Sequence, residues 1–172
     1  MIITLIGMPG CGKSCMGRAI SKKLKMRNID GDRVIEKMYG KKLHELIAEF
    51  GMDEFMRMEE KALLSISADD FILSTGGSAV YYPSVMEYYK SRGKIVYLYC
   101  SYDVIEKRLG DFSNRGVVLK PGQTLRNLYD ERCALYKKYA DIIVDCSGEA
   151  YVKYQWRVIN ALKYVLKSTD SN

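Results

Sequence analysis

The run Gly7-Met8-Pro9-Gly10-Cys11-Gly12-Lys13-Ser14 fits G-x-x-x-x-G-K-[ST], the spacing of a phosphate-cradling P-loop. Glycines let such a loop curl until its N–H groups point inward at an anion. A helix beginning near Gly12 would add its positive dipole end. In this arrangement Lys13 reaches the β and γ phosphates of a nucleotide, and Ser14 offers its hydroxyl to Mg²⁺. Further along come Asp30 and Asp32, two carboxylates spaced by one residue, and Thr75-Gly76-Gly77-Ser78, a small-residue turn where backbone can approach a ligand closely. Arg108 and Arg115 bracket the first part of a stretch from which they can reach phosphates, and Arg132 lies beyond it. Residues of these types suit phosphoryl transfer, which asks for positioning and charge neutralisation more than for covalent chemistry.

The elements that must carry these residues follow from hydrophobic periodicity. Met1 to Ile6 is a short buried-strand run, and Met16, Ala19, Ile20 and Leu24 follow the loop at helical spacing. Met26 to Asp32 reads as a strand ending in the two carboxylates, and Arg33 to Tyr39 as a helix stopped by Gly40. Leu43, Leu46, Ile47 and Phe50 mark another helix closed by Gly51. His44, on this helix, has no partner at ligand spacing and is read as a surface residue. A longer helix from about Asp53 to Ser67 puts Phe55, Met58, Ala62 and Ile66 on its core stripe, with Met56 flanking the stripe on the side of Leu63 and Arg57 pointing away.

Phe71 to Ser74 is the next strand. A helix starting at Pro83 or Ser84 ends at Gly93, and Ile95 to Cys100 is a strand followed by a helix with Val104, Ile105 and Leu109. Gly110 to Gln123 combines Gly, Pro, Asn and charge without apolar periodicity and reads as a lid. Thr124 caps a helix with Leu125, Leu128, Leu135 and Tyr139, and Arg132 sits in its middle. Asp141 to Asp145 is a last strand. The helix with Val152, Trp156, Ile159, Leu162 and Leu166 closes the chain, with Trp156 expected in the core and residues 168–172 expected to fray. Strands alternating with helices predict a parallel sheet with helices on both faces, whose ligands sit at the C-terminal strand ends. The P-loop, Asp30, Asp32 and Thr75 to Ser78 all fall at such ends, so they can converge.

At 172 residues the chain suits one domain. Its 48% hydrophobic and 28% charged residues are those of a globular protein, and no apolar run approaches a bilayer-spanning length. The opening residues lack a basic n-region, so no signal peptide is expected. Five cysteines without a C-x-x-C pair suggest free thiols and a cytoplasmic protein. A net charge of +6 permits a nucleic-acid partner, but an anionic nucleotide explains a basic cleft equally well.

Taken together, the P-loop, I-D-G-D-x-x-I-E (Ile29 to Glu36), D-E-F-x-R-x-E-E (Asp53 to Glu60), T-G-G-S-A (Thr75 to Ala79), Asn114-Arg115 and E-R-x-x-L-Y-x-x-x-A-D (Glu131 to Asp141) resemble the shikimate kinases along nearly the whole chain. The resemblance implies a three-layer α/β P-loop NTPase fold of the nucleoside-monophosphate-kinase kind, with a five-stranded parallel sheet in the order 2-3-1-4-5. It implies an acceptor-binding helical segment at about 32–62 and a lid at about 110–123. It also implies ATP and Mg²⁺ as cofactors, and phosphorylation of shikimate to shikimate 3-phosphate. On the same footing, Gly10, Cys11, Gly12, Lys13, Ser14 and Cys15 would hold the nucleotide, with Arg108 against the adenine. Ser14 and Asp30 would serve the metal. Asp32 would bind the acceptor hydroxyls and take the proton, Arg132 would grip the acceptor carboxylate, and Arg115 would come over from the lid. Gly76, Gly77 and Ser78 would border the acceptor. The expected partners are ATP and a small-molecule acceptor, with no nucleic acid or membrane, in a monomer.

The departures from the family pattern fall on the acceptor side. The arginine that pairs with the shikimate carboxylate falls on Met56, the third turn glycine is Ser78, and the usual R-P-L-L of the lid is Arg115-Gly116-Val117-Val118. One residue along a helix is a rotation of about 100°, so Arg57 does not replace the missing arginine. Three alternatives to the family default therefore stand at this point. One is a kinase for a different, less acidic hydroxylated acceptor, with Met56 in the acceptor pocket, and another is a nucleoside or nucleotide kinase of the same fold. The third is a non-catalytic nucleotide-gated binding protein for a partner such as RNA, although no aromatic RNA-binding signature is visible.

Overall fold

A computed structural model describes residues 1–110, 119, 122–148 and 151–169. Five strands form one parallel sheet: β1 (Ile2–Ile6), β2 (Arg27–Asp30), β3 (Phe71–Ser74), β4 (Gly93–Tyr99) and β5 (Ile142–Asp145). Their order is β2-β3-β1-β4-β5, as the resemblance implied. β1 lies at the centre, with Leu5 opposite Ser74 of β3 and Val96 of β4. All five residues of β1 are buried, as expected of a strand covered on both faces.

The helices among the described residues are α1 (Lys13–Leu24), α2 (Gly31–Tyr39), α3 (Leu43–Leu64), α4 (Pro83–Arg92), α5 (Tyr102–Leu109), α6 (Leu125–Tyr139) and α7 (Tyr151–Thr169). The first strand–helix units pack an apolar core that joins Ile3, Leu5 and Ile6 of β1 to Met16 and Ile20 of α1 and to Tyr136 of α6. A second cluster joins Leu63 of α3 to Phe71, Leu73, Val85 and Tyr89. Burying one such side chain contributes about 1.5–3 kcal/mol, so the two clusters hold the strand ends rigidly in place.

Several boundaries differ from the periodicity. The strand expected over Met26 to Asp32 ends at Asp30, because Gly31 already begins α2; Asp32 therefore sits in that helix's first turn. The two helices expected around Gly51 run on as α3, but Gly51 is non-helical (φ 78°, ψ 170°) and kinks it where the glycine stop was read. Gly93 opens β4 rather than merely ending α4. Thr124 caps α6 as expected, its side chain accepting from the Asn127 N–H at 3.1 Å. His44 is exposed.

Trp156 is 68% exposed and Val152 71%, against the expectation that both face the core. Ile159 and Leu162 are buried as expected, and the N-terminal part of the buried face is Tyr154 and Val158. Two residues along a helix is a rotation of about 200°, so a stripe through Tyr154 turns Trp156 outward. Most of the expected lid, with Asn114 and Arg115, lies outside the described residues. No helix among them is long and apolar enough to cross a membrane.

Candidate active site

The P-loop takes its shape from backbone conformations that only glycine adopts easily. Gly12 has φ 98° and stands just before α1, where a side chain would be strained. The Cys11 N–H donates to the Met8 carbonyl at 3.2 Å and closes the turn. Lys13 is 8% exposed, and its ammonium donates to the Gly7 and Met8 carbonyls at 2.8 and 3.0 Å. The lysine is thus folded over the loop, within the space that phosphates of a nucleotide would enter.

Two side-chain bonds tie the end of β3 to the loop and to β1 beside it. Ser74 Oγ donates to the Lys13 carbonyl at 3.2 Å, and Thr75 Oγ1 to the Leu5 carbonyl at 3.0 Å. Tyr136 of α6 donates its hydroxyl to the Gly77 carbonyl at 2.7 Å. The loop after β3 is therefore held between the P-loop and α6. Arg132, one turn before Tyr136, reaches the same place.

A cavity of about 370 Å³ results, walled by Gly10, Gly12, Lys13, Ser14 and Cys15 on one side and by Asp32, Phe55, Glu59, Thr75 to Ser78 and Arg132 on the other. Residues from five parts of the chain meet there, as the position at C-terminal strand ends predicted. A Cβ on Gly76 would stand 2.7 Å from Glu59 Oε1 and 3.2 Å from Asp32 Oδ1, and one on Gly77 would stand 3.0 Å from Arg132 Nη1. Larger residues at this turn would push into the cavity wall, which accounts for the two glycines.

Arg132 is 8% exposed; its Nε donates to the Tyr81 hydroxyl at 3.4 Å, and its guanidinium lies 5.2 Å from the Tyr81 ring centroid. Ring and hydroxyl orient the cation without neutralising it, and no salt bridge to Arg132 forms among the described residues. It is placed to receive an anionic group. Asp32 opens onto the solvent of the cavity, yet protein crowds it from most directions. That partial dehydration, with the Asp30 carboxylate nearby, raises its pKa, and Lys13 opposes the rise.

Glu59 is the site residue that sequence reasoning missed. It is 2% exposed, and Oε2 accepts from Ser78 Oγ at 2.6 Å and from the Tyr82 hydroxyl at 2.7 Å. Burial raises its pKa, while the two hydroxyl bonds and Arg132 pull it back. Hydrogen bonds to a charged group contribute about 1.5–3 kcal/mol each, enough to offset much of the dehydration of one carboxylate. The signal was present: Glu59 lies four residues after Phe55 and three before Ala62, so a carboxylate occupies the core stripe of α3.

The remaining expected residues are distributed as follows. Met56 does not line the cavity; Phe55 and Glu59 do, while Met56 is half-buried against the cluster containing Leu63 and Tyr82. Met56, read as part of the acceptor pocket, packs from α3 against that cluster. Arg57 is exposed and pairs with Glu54 at 2.8 Å, facing away as expected. Arg108 lies beside the loop, its Cβ 3.7 Å from where a Gly10 Cβ would stand, and donates to Cys100 Sγ and the Cys146 carbonyl. Cys11 is buried behind the loop, and Asp30 lines a neighbouring groove with Arg27 and Arg33 rather than the cavity itself.

No group of three or more His, Cys, Asp or Glu side chains among the described residues can hold a metal ion alone. The Ser14 hydroxyl and the Asp30 and Asp32 carboxylates are hard oxygen donors, which fits an ion that arrives on a nucleotide and keeps most of its waters.

Comparison with known proteins adds a second kind of observation. The family model described as shikimate kinase matches residues 9–163. The shikimate kinase of Bacillus anthracis is 33% identical over 162 residues, covering 94% of this chain and 95% of that protein. Among solved structures, shikimate kinase from Aquifex aeolicus superposes with a TM-score of 0.83 at 27% identity, covering 95% of this chain and 96% of that one. Shikimate kinase from Acinetobacter baumannii in complex with shikimate superposes with a TM-score of 0.81 at 27% identity, covering 98% and 93%.

Proposed function

The chain belongs to the shikimate kinase family, and from that premise we infer that it transfers the terminal phosphoryl group of ATP to a hydroxyl of shikimate. One observation carries the reading: a single cavity brings the P-loop lysine and serine together with Asp32 and Arg132. A donor half and an acceptor half face each other there, and both are needed for transfer.

Lys13 would leave the loop carbonyls for the β and γ phosphates, neutralising charge as it spreads over the transferring group. The backbone N–H groups around Gly10 and Gly12 would cradle the phosphates, and Arg108 would flank the adenine. Ser14, with Asp30 acting through water, would hold Mg²⁺, which supplies charge neutralisation and orientation of the phosphates. Asp32 would accept the acceptor hydroxyl and its proton, since its carboxylate faces the same space as Lys13. Arg132 would hold the shikimate carboxylate, with Gly76, Gly77 and Ser78 shaping the pocket beside it. Arg115, outside the described residues, is proposed to complete the site from the lid, excluding water that would otherwise hydrolyse ATP. The five cysteines are free, in keeping with a reducing, ATP-rich compartment, and we place the enzyme in the cytoplasm.

A different acceptor is not favoured. The Bacillus anthracis and Acinetobacter baumannii proteins, which match nearly the whole chain, are shikimate kinases, and Arg132 keeps a cation in the pocket for a carboxylate. A non-catalytic binding protein would leave the facing donor and acceptor groups unexplained.

A coupled ADP-release assay tests the reading directly. Shikimate is expected to stimulate ADP release strongly, and hydroxylated metabolites without a carboxylate weakly; equal stimulation by both would overturn it. Arg132→Ala is expected to raise the KM for shikimate about tenfold or more, by loss of a charge-assisted contact, with the KM for ATP little changed. Steady-state kinetics with each substrate varied checks this, and a rise confined to ATP would place Arg132 on the wrong half of the site.

A further inference from the structure

Two of the three departures, Met56 and Ser78, lie near one carboxylate, Glu59, which Ser78 bonds and Met56 precedes by three residues. Residue 56 stands three positions before Glu59 on α3, and side chains at that spacing are neighbours on a helix surface. An arginine at 56 would therefore have Glu59 within reach. Here the residue is methionine, packed against the cluster that includes Tyr82, and Glu59 takes its two donors from elsewhere. Ser78 supplies one from the turn after β3, a hydroxyl that a glycine at that position lacks. Tyr82 supplies the other, and burial beside Glu59 pushes its phenol well above the usual range, so that it stays protonated and donates.

We propose that Ser78 and Tyr82 are positioning residues for the acceptor, clamping the Glu59 carboxylate against the cavity wall, and that Met56 and Ser78 form one coupled change of clamp. Both hydroxyls hold Oε2, while Oε1 and Asp32 Oδ1 stand 2.7 and 3.2 Å from the place a Gly76 Cβ would take. The clamp thus joins α3 to the loop after β3 at the point where that loop faces the carboxylate assigned to the acceptor hydroxyl. Losing a donor leaves a nearly fully buried carboxylate under-satisfied; it must swing out or take a proton, and either response displaces the Gly76 turn. The P-loop is anchored by another bond, from Ser74 to the Lys13 carbonyl, and by the Lys13 bonds to Gly7 and Met8, so the nucleotide half stays in place.

This inference rests on the cavity being the shikimate site, and the experiment separates the two. Shikimate-dependent ADP release is measured for the parent, Ser78→Ala, Ser78→Thr, Tyr82→Phe, Met56→Arg and Met56→Arg/Ser78→Ala, varying shikimate and ATP separately. In an active parent, Ser78→Ala and Tyr82→Phe are each expected to raise the KM for shikimate about tenfold, the loss of one hydrogen bond to a charged group, with the KM for ATP within about twofold of the parent. Ser78→Thr, which keeps the hydroxyl, is expected to raise the KM for shikimate less than Ser78→Ala does. Met56→Arg is expected to lower the KM for shikimate more in the Ser78→Ala background than in the parent, because a guanidinium at 56 reaches the carboxylate that has lost its donor.

Unchanged shikimate KM in both Ser78→Ala and Tyr82→Phe would overturn the clamp. Equal rises in both KM values would mark a general lesion and overturn the positioning role. Additive effects of Met56→Arg and Ser78→Ala would overturn their coupling. A parent that releases no ADP with shikimate would instead overturn the functional reading on which the proposal stands.

Discussion

Lys13→Met is expected to lower kcat/KM for the phosphoryl transfer by about a hundredfold to a thousandfold, the range seen when one preorganised charge-stabilising donor is removed from a site. The ammonium is nearly buried and within reach of the loop carbonyls of Gly7 and Met8, so no other cation among the described P-loop residues can take its place. Methionine keeps the aliphatic stem that packs in the cavity wall and removes the charge alone. It also leaves the two carbonyls without that donor, so a small loss of stability, about 1 kcal/mol for a hydrogen bond, should accompany the kinetic loss. Thermal melting followed beside single-turnover transfer distinguishes the effects, since a protein still folded at assay temperature with a hundredfold slower transfer assigns the defect to chemistry. Transfer within tenfold of the parent would remove Lys13 from the mechanism.

Asp32→Asn is expected to cost about a hundredfold to ten-thousandfold in kcat, the usual contribution of a positioned general base. Asparagine is nearly isosteric, so the KM for ATP should hardly move. The charge state adds a pH signature. The Asp32 pKa is raised by partial dehydration and by Asp30, so in the free enzyme the active carboxylate form is populated only above a pH higher than the ordinary aspartate value of 3.8. The acid limb of kcat/KM for shikimate should therefore lie above that value in the parent and shift when Asp30 is replaced by asparagine, moving toward lower pH as a like charge is withdrawn.

Stability runs the other way. A carboxyl whose pKa is higher folded than unfolded binds more protons in the native state, so its contribution is present below the unfolded pKa and is lost as pH rises through the folded one. At neutral pH, Asp32→Asn should accordingly melt no lower than the parent, with little gain because cavity solvent screens the charge. A variant that is both inactive and markedly less stable would point to a structural role instead.

The donor half of this site was legible in the chain itself. A P-loop is a local device: its glycines, lysine and serine act through backbone conformation over eight consecutive residues, and no distant segment is needed to specify it. The alternation of strand and helix runs likewise predicted a parallel sheet, and a parallel sheet collects Lys13, Asp32 and the turn at Thr75 to Ser78 at one edge without any knowledge of side-chain packing.

What only the tertiary structure decided depends on rotation about helix axes and on partners far away in sequence. Met56 and Glu59 differ by three residues on one helix, yet the packing of α3 puts Glu59 on the cavity and Met56 against the neighbouring cluster. Trp156 faces outward because the core contact of α7 runs through Tyr154 and Val158 to Ile159 and Leu162. The donors that make a buried Glu59 tolerable come from Ser78 and Tyr82, 19 and 23 residues away. Burial of a carboxylate is stabilised or forbidden by groups that arrive only when the sheet assembles, and a linear pattern of hydrophobic and polar residues carries no term for them.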